Sequence, residues 1–126
     1  MSREIKFRGY SETYQKWYYG YYLKNQSDSS FIRSIDDFDT YWVHEETVGQ
    51  FTGLCDKNGA EIYEKDILEL YDDTLNFERT YMIIVRYIRP QAMFNIDLHS
   101  FATIRVIGNI HDNPEFLEES NEPSPN

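Results

Sequence analysis

The sequence contains few of the residues and patterns that mark secreted, membrane or metal-binding proteins. It has one cysteine, Cys55, and four prolines among 126 residues. A single cysteine excludes an intramolecular disulfide and also excludes zinc and redox sites built from several cysteines. The first residues lack the apolar segment of a secretory signal, and no apolar run is long enough to cross a bilayer. These absences predict a cytoplasmic protein.

Motifs of common catalytic sites are also missing. The sequence has no GxGxxG or Walker phosphate loop, no GxSxG nucleophile turn and no HExxH zinc motif. We therefore predict no catalytic residue, no cofactor and no metal ion. One enzymatic alternative stays open, a metal-dependent hydrolase using His44, His99 or His111, because a fold can bring imidazoles from separate segments together.

Acidic residues are concentrated in two segments of a chain whose formal net charge is −10. Residues 36–75 carry two basic and twelve acidic side chains, and residues 112–126 carry five acidic and no basic ones. Such segments repel nucleic-acid phosphates and attract a basic partner, although an acidic surface also simply keeps a tyrosine-rich domain soluble. The candidate interaction surface comprises Asp36, Asp37, Asp39, Glu45, Glu46, Glu64, Asp66, Glu69, Asp72 and Asp73.

Aromatic residues cluster in residues 14–23, which read Tyr-Gln-Lys-Trp-Tyr-Tyr-Gly-Tyr-Tyr-Leu. Tyrosine and tryptophan favour strands, so this run predicts one or two core strands with a bulge or turn at Gly20. The alternative is an exposed aromatic platform that stacks the bases of a single-stranded nucleic acid, which also needs a basic groove. Lys16, Lys24 and Arg33 give that nucleic-acid-binding alternative little basic charge.

Several further segments predict a mostly β protein, because apolar and polar residues alternate or β-favouring residues predominate. Strands are expected at 4–8, ending at Gly9, and at 81–88, 93–98 and 103–110.

Residues 48–70 predict a β-hairpin that turns at Asn58 and Gly59. Apolar residues stand on both sides of this Asn-Gly pair. Asn-Gly tolerates the positive φ angles of a type I′ turn better than other residue pairs. Residues 36–39 bring three aspartates together and predict a turn.

The C-terminal end predicts a short helix followed by a disordered acidic tail. Asn113 and Pro114 are typical of the cap and first position of a helix, which we expect to run through Leu117. Residues 118–126 are polar and acidic. We therefore expect one domain at 1–117.

The chain resembles the YopX family, small proteins encoded by phages and prophages, in three segments that keep the family's order and spacing. These segments are REIKFR (3–8), GQFTGLCDKNGAEIYEKDI (49–67) and VIGNIHDNPE (106–115). The resemblance implies a mostly β fold with two small antiparallel, barrel-like β subdomains, and a phage accessory protein of the bacterial cytoplasm. It brings no catalytic residues.

The residues shared with the family are mostly of the types found in turns, caps and strand ends. They are Gly53, Asp56, Asn58, Gly59, Asp66, Gly108, Asn109, Asn113 and Pro114. Lys65 departs from the family, which usually has glycine there. If that position needs a positive φ, Lys65 holds it at a cost of about 1 kcal/mol.

Composition and resemblance together predict a non-catalytic protein-interaction module. Its acidic surface and exposed tyrosines would bind a host or phage protein, preferably a basic one. A narrower hypothesis is DNA mimicry, in which carboxylates take the place of duplex phosphates and inhibit a nucleic-acid-binding protein. Nucleic-acid and membrane partners are not expected, whereas unpaired strand edges predict a homo-oligomer.

Overall fold

The computed structural model describes residues 4–72, 79–96 and 103–119, most of which form antiparallel strands. The strands are β1 (Phe7–Ser11), β2 (Lys16–Lys24), β3 (Ser30–Ser34), β4 (Thr40–Val43), β5 (Gly49–Cys55), β6 (Glu61–Tyr63), β7 (Asp66–Asp72), β8 (Arg79–Ile84), β9 (Tyr87–Ile88), β10 (Met93–Phe94) and β11 (Thr103–Asn109). Short 3₁₀ turns occupy Glu45–Thr47 and Arg89–Gln91. The prediction of a mostly β protein is confirmed. No helix among these residues is long and apolar enough to span a membrane.

The chain divides into two compact units, unit 1 (Met1–Gly53) and unit 2 (Leu54–Asn126). In unit 1 the strands follow the order β4-β3-β2-β1-β5. Strands joined by short turns usually pair with their neighbours in sequence, and β1 to β4 accordingly form an antiparallel meander.

The two faces of the unit 1 sheet have different environments. Side chains alternate between the faces along each strand. The register places Tyr18, Ile32 and Val43 on one face, where they are buried, and we call it the inner face. The opposite, outer face carries Tyr10, Trp17, Tyr19, Tyr21, Leu23, Phe31 and Trp42. Residues 16–23 of the aromatic run therefore belong to one strand, β2, whose alternate side chains point away from the core.

Close packing requires two glycines in this sheet. A Cβ at Gly9 would lie 2.8 Å from Cγ2 of Val43, and a Cβ at Gly20 would overlap the carbonyl oxygen of Arg33. Strand β2 continues through Gly20 without a register shift, so the predicted bulge or turn there is wrong. Strand β1 likewise passes through Gly9, where the sequence predicted that the strand would end or bend.

The sheet of unit 1 is open, so the barrel-like expectation is wrong. Its order begins at β4 and ends, within unit 1, at β5. The segment after β4 is held beside β1 by two bonds. The His44 N–H donates to the Tyr10 carbonyl oxygen (3.1 Å), and the Tyr10 N–H donates to Oγ1 of Thr47 (2.9 Å). These bonds fix the end of β4 beside β1 without closing the sheet into a barrel.

Unit 2 has an aliphatic core around a three-stranded sheet of order β11-β7-β8. Its buried side chains are Ile62, Leu68, Leu70, Val85, Ile96 and Ile104. The predicted strand at 103–110 is confirmed as β11. The predicted strand at 81–88 is divided into β8 and β9, and a turn follows at Arg89-Pro90 as expected.

The hairpin expected at Asn58 and Gly59 is present, but its turn is not type I′. A type I′ turn needs positive φ at both central residues, whereas Gly59 has a φ of +86° and Asn58 has no positive φ. The Gly59 N–H donates to the Asp56 carbonyl oxygen (3.0 Å), and the Asp56 N–H donates to that of Ala60 (2.8 Å). The Asp56–Ala60 bond closes a loop of three residues, 57–59. The Asp56 carboxylate stabilises this loop by accepting the Asn58 and Ala60 N–H groups.

The C-terminal helix is not formed as the sequence predicted. After Asn113 and Pro114 the chain forms only a single four-residue helical turn, α1 (Phe116–Glu119). The predicted tail from residue 120, the end of the predicted strand at 93–98, Asp73 and His99 lie outside the described residues.

Candidate functional site

Asp56, one of the residues behind the family resemblance, connects two segments of unit 2 through hydrogen bonds of its carboxylate. It stands at the start of the β5–β6 loop and is 9 % exposed. Its Oδ1 accepts the N–H groups of Asn58 (2.8 Å) and Ala60 (2.9 Å), and its Oδ2 accepts that of Val106 (2.9 Å). The carboxylate therefore fixes the loop conformation and ties the loop to β11.

The environment of Asp56 keeps its carboxylate ionised. Burial alone would raise the pKa of Asp56, but the N–H donors of Val106, Ala60 and Asn58, together with the charge of Lys57, outweigh burial and lower it. A buried charge that accepts three backbone hydrogen bonds contributes to the fold as long as it stays ionised.

The turn between β6 and β7 contains the position where the family usually has glycine. Lys65 has a φ of +73°, which confirms that this position needs the left-handed conformation. The Tyr63 N–H donates to Oδ2 of Asp66 (2.7 Å), and the Lys65 N–H donates to the Val85 carbonyl oxygen (2.8 Å). Asp66 is 2 % exposed. Its inclusion in the predicted interaction surface is wrong, because its carboxylate holds this turn.

The end of β11 is a third such turn, built from amide side chains. Oδ1 of Asn109 accepts the N–H groups of His111 (3.0 Å) and Asp112 (2.8 Å). The Asn113 N–H donates to the Asn109 carbonyl oxygen (2.8 Å), and Oδ1 of Asn113 accepts the Asn109 N–H (3.2 Å). A Cβ on Gly108 would overlap Oδ1 of Asn113. The shared residues in this segment therefore also serve the fold.

Five of the predicted acidic residues lie exposed in unit 1, on either side of β4. Asp36, Asp37 and Asp39 occupy the turn before this strand, and Glu45 and Glu46 occupy the 3₁₀ turn after it. Oε1 of Glu45 lies 2.7 Å from Nζ of Lys24.

The remaining acidic residues of the predicted surface belong to unit 2. Glu64 and Glu69 are half-buried, and Oε1 of Glu69 accepts a hydrogen bond from Nη2 of Arg105 at 2.7 Å. The backbone of Asp72 ends strand β7. The ten predicted residues are thus divided between the two units.

The histidines of the hydrolase alternative lie in different settings. Nε2 of His44 lies 2.6 Å from Oε2 of Glu12, and Nδ1 lies 3.8 Å from Oε1 of Glu46. His111 is exposed at the turn after β11. Within residues 4–72, 79–96 and 103–119, no group of three or more His, Cys, Asp or Glu side chains is arranged to hold a metal ion.

A solvent-open groove in unit 1 follows strand β4, and we call it the β4 groove. It has a volume of about 690 Å³ and is lined by Tyr14, Tyr18, Phe31, Asp39, Thr40, Tyr41 and Trp42. Most of these side chains are aromatic, and two of them, Tyr14 (63 %) and Trp42 (49 %), are extensively exposed. Exposed aromatic side chains in a concave surface are typical anchors of binding sites.

Contacts within unit 1 hold one wall of the β4 groove in place. The rings of Tyr18 and Tyr41 are stacked with centroids 3.7 Å apart, and Tyr14 meets Tyr41 edge-on at 5.6 Å. The Tyr41 hydroxyl donates to Oδ2 of Asp37. This bond raises the pKa of Tyr41 and lowers the pKa of Asp37. Because the aromatic wall is already ordered, a ligand would lose little free energy in organising it.

The outer face of the unit 1 sheet is a second exposed aromatic surface. Tyr21 is 56 % exposed and Leu23 is 45 % exposed. The guanidinium of Arg8 lies over the ring of Trp17 at 4.9 Å. Arg8 and Arg33 are the charged residues at the outward positions of β1 to β4. This face resembles the aromatic platform that the sequence raised as an alternative.

Sequence reasoning missed the β4 groove because its walls come from three separate segments. Tyr14 precedes β2, Phe31 belongs to β3, and Tyr41 and Trp42 belong to β4. The adjacent Tyr41 and Trp42 were the available signal, since neighbouring residues of a strand point to opposite faces. Nothing in the sequence indicated that β4 would be an edge strand.

Comparison with known proteins identifies a family and a similar solved structure. A family model described as YopX protein matches residues 6–118. The crystal structure of protein EF1440 from Enterococcus faecalis is similar with a TM-score of 0.56 and 26 % sequence identity. That similarity covers 92 % of this chain and 99 % of the EF1440 chain. No curated protein matches this chain.

Proposed function

The chain belongs to the YopX family, and on that premise we propose that it is a non-catalytic protein-interaction module of a phage or prophage that binds a basic host or phage protein through unit 1. The observation that carries this proposal is the β4 groove, where ordered aromatic side chains stand between two groups of exposed carboxylates. Aromatic anchors and complementary charge are the features that specific protein interfaces use.

The roles of the shared residues support a binding function over catalysis. Asp56, Asp66 and Asn109 bond to backbone groups of nearby turns. In each of these bonds a side-chain oxygen accepts a backbone N–H group of unit 2, so the side chain serves the fold. What this chain holds in common with its family is therefore a scaffold, and the exposed side chains of unit 1 supply its individual binding properties.

The test is capture of partners from a bacterial host extract, followed by titration with the purified captured protein. Two variants are compared, the double substitution Asp36→Asn with Asp39→Asn and the matched control Glu4→Gln. Glu4 is also exposed in unit 1, but its carboxylate lies near Lys6 (3.5 Å), before β1. We expect the double variant and added salt to weaken binding several-fold, and the control to bind normally. Binding that is insensitive to both changes would contradict the proposal.

DNA mimicry is the narrower form of this proposal and has less support. Asp66 is buried and Glu69 is paired with Arg105, so at least two of the ten predicted carboxylates are not available to imitate phosphates. Mimicry predicts that the captured partner binds duplex DNA and that duplex DNA competes with this protein for it. A partner with no affinity for nucleic acid would eliminate mimicry and leave the interaction module standing.

A nucleic-acid-binding function is the second candidate, because the outer face carries exposed aromatic side chains and outward-facing positions without an acidic residue. Bases stack on such side chains with little sequence preference. Against it, Arg8 is 7 % exposed, and the net charge of −10 opposes phosphates. Fluorescence anisotropy with labelled oligo-dT at low salt tests it. Binding of the labelled oligo-dT that is lost on Tyr21→Ala would favour this second candidate over the first.

The metal-dependent hydrolase is the enzymatic alternative, and replacing His44, His99 and His111 together with alanine separates it from binding. The interaction module predicts that partner capture survives this triple substitution. A hydrolase predicts a metal-stimulated turnover that the same substitution abolishes.

A further inference from the structure

Strand β4 lies at the edge of the unit 1 sheet, and within the described residues part of its backbone has no neighbouring strand. The Ser34 N–H donates to the Asp39 carbonyl oxygen (2.8 Å), one residue before the Arg33–Thr40 pair of the β3–β4 register. Along an antiparallel ladder, residues bonded to the neighbouring strand alternate with residues whose backbone groups point away from it. The N–H and C=O groups of Thr40 and Trp42 therefore point away from β3. An edge of this kind is a template for pairing with another extended segment.

The β4 groove has walls on both faces of the sheet around that edge. Tyr18 and Tyr41 belong to the inner face, and Phe31 and Trp42 belong to the outer face. A strand added beside β4 would direct alternate side chains to the two faces. One set would meet the tyrosine wall, and the other set would meet Trp42 and Phe31. This arrangement suits strand addition, in which backbone bonds give affinity and side-chain pockets give specificity.

Charge selects the occupant of this edge. Asp36 and Asp39 stand at one end of β4, and Glu45 and Glu46 stand at the other. If two copies paired antiparallel through β4, the aspartates of one would lie beside the glutamates of the other, and like charges would repel. An extended segment with lysine or arginine would instead be attracted, chiefly at the aspartate end, because Lys24 already pairs with Glu45 at the other end (2.7 Å).

We propose that β4 binds an extended, lysine- or arginine-bearing segment of a partner protein as an added strand, with its side chains in the β4 groove. The inference rests on the proposed interaction function and deepens it, because it names the surface and the chemistry of the partner. Nucleic acid and a second copy of the chain are the competing occupants that the test must separate.

The experiment is selection of random eight-residue peptides against the full chain by display, followed by affinity measurement on the enriched peptides. We expect enrichment of lysine, arginine and β-favouring residues and depletion of aspartate and glutamate. Amide chemical shifts on peptide addition should change most at Thr40 and Trp42. Failure to enrich any peptide, or enrichment of acidic peptides, would overturn the proposal.

Three variants and one control locate the binding site. Thr40→Pro removes an outward-facing N–H, a position at which a sheet tolerates proline. Trp42→Ala and Tyr14→Ala remove the two exposed walls. The control is Tyr21→Ala, which removes an equally exposed tyrosine of unit 1 outside the groove. We expect each of the three variants to weaken peptide binding at least tenfold and the control to bind like the wild type.

The outcomes distinguish this inference from the proposed function. If Thr40→Pro does not fold, Trp42→Ala and Tyr14→Ala still decide the location of binding. A captured host protein that binds all three variants normally would remove the β4 site and leave the interaction module intact. Absence of both a captured partner and an enriched peptide would remove both proposals. Competition by oligo-dT would indicate that nucleic acid occupies the β4 edge. A dimer in sedimentation that Trp42→Ala dissociates would indicate that a second copy of the chain does, and either result would overturn the inference.

Discussion

Unit 1 and unit 2 differ in how they use the acidic and aromatic residues that the sequence singled out. In unit 2, Asp56, Asp66 and Asn109 bond to the backbone of nearby turns, and the core is aliphatic. In unit 1, three residues form the buried hydrophobic cluster, whereas Tyr14, Tyr21 and Trp42 are largely exposed. In unit 2 the residues behind the family resemblance thus stabilise the fold, whereas in unit 1 several aromatic side chains are exposed to solvent. Stability and binding should therefore respond to substitutions in different units.

The largest expected effect is loss of stability on Asp56→Ala. Three backbone N–H groups lose a charged acceptor, so unfolding should become easier by about 3 kcal/mol. Asp56→Asn keeps one oxygen acceptor and should cost about half as much. Urea unfolding measures both. Trp17 and Trp42 are the tryptophans of the chain, so fluorescence follows unit 1, and the methyl signals of Ile104 follow unit 2.

If Asp56 belongs to unit 2 alone, the methyl signals should report a larger loss of stability than the fluorescence does. Equal losses by both probes would break the contrast between the units, since unit 1 would then depend on the same carboxylate.

The Asp56 contribution should also disappear in acid. The pKa of Asp56 is lower in the folded protein than its ordinary value of 3.8. Its contribution is therefore complete above the unfolded pKa and is lost as pH falls through the folded pKa. Urea unfolding of the wild type and of Asp56→Asn between pH 7 and about pH 3 measures this difference. The advantage of the wild type should shrink below about pH 4, and a constant advantage would count against an ionised carboxylate.

Gly108→Ala should destabilise unit 2 by about 2 kcal/mol, because the new methyl group overlaps Oδ1 of Asn113. Most of this cost should vanish in the background of Asn113→Ala, which removes the overlapped atom. A double-mutant cycle of thermal or urea unfolding gives the coupling between the two positions. Additive effects would show that the overlap does not determine the cost.

Lys65→Gly should stabilise the protein relative to Lys65→Ala by about 1 kcal/mol, because glycine adopts the positive φ of this turn without strain. Alanine is the matched control, since both variants lose the lysine side chain. Midpoints of urea unfolding compare the two directly. If alanine equals glycine, the left-handed turn at Lys65 is not maintained in solution.

The smallest effect should come from the exposed aromatic residues of unit 1. Trp42→Ala and Tyr21→Ala should change the free energy of unfolding by no more than about 0.5 kcal/mol, as exposed positions usually do. Ile32→Ala, which truncates a side chain with 0 % exposure, should cost about 2 kcal/mol or more. Thermal unfolding followed by circular dichroism measures all three variants. A large loss of unfolding free energy on Trp42→Ala would show that Trp42 stabilises the fold, which would weaken the contrast between unit 1 and unit 2.

The sequence predicted the parts of this fold that depend on local chemistry. Alternation gave β11, the Asn-Gly pair located the hairpin, and the departure from glycine at Lys65 identified a strained turn. For β11 and the hairpin the information lies within a few neighbouring residues, whereas for Lys65 it came from the resemblance to the family. The same reasoning was wrong at Gly9 and Gly20, which serve close packing inside strands, because the packed atoms come from β3 and β4.

The candidate site was less predictable, because it depends on which strand lies at the edge of the sheet. The sequence shows how many acidic residues there are, but it does not show which of them are exposed and which bond within the fold. Asp66 is a buried turn residue, whereas Asp36 is exposed, and composition treats them alike. The turn type at Asn58 was also wrong, since the bonds from the Asp56 carboxylate favour a three-residue loop over the type I′ turn that an Asn-Gly pair favours by itself.

Strand pairing in the two units has a consequence for synthesis of the chain on the ribosome. Strands β1 to β4 pair with their neighbours in sequence, so each hairpin can form as soon as its second strand has emerged. Strand β7 pairs with β11, where Tyr71 faces Thr103, and β11 is the last of the described strands in chain order. In the nascent chain, the edge of β7 that pairs with β11 therefore stays unpaired until β11 has been synthesised. Chaperone assistance would matter most during that interval.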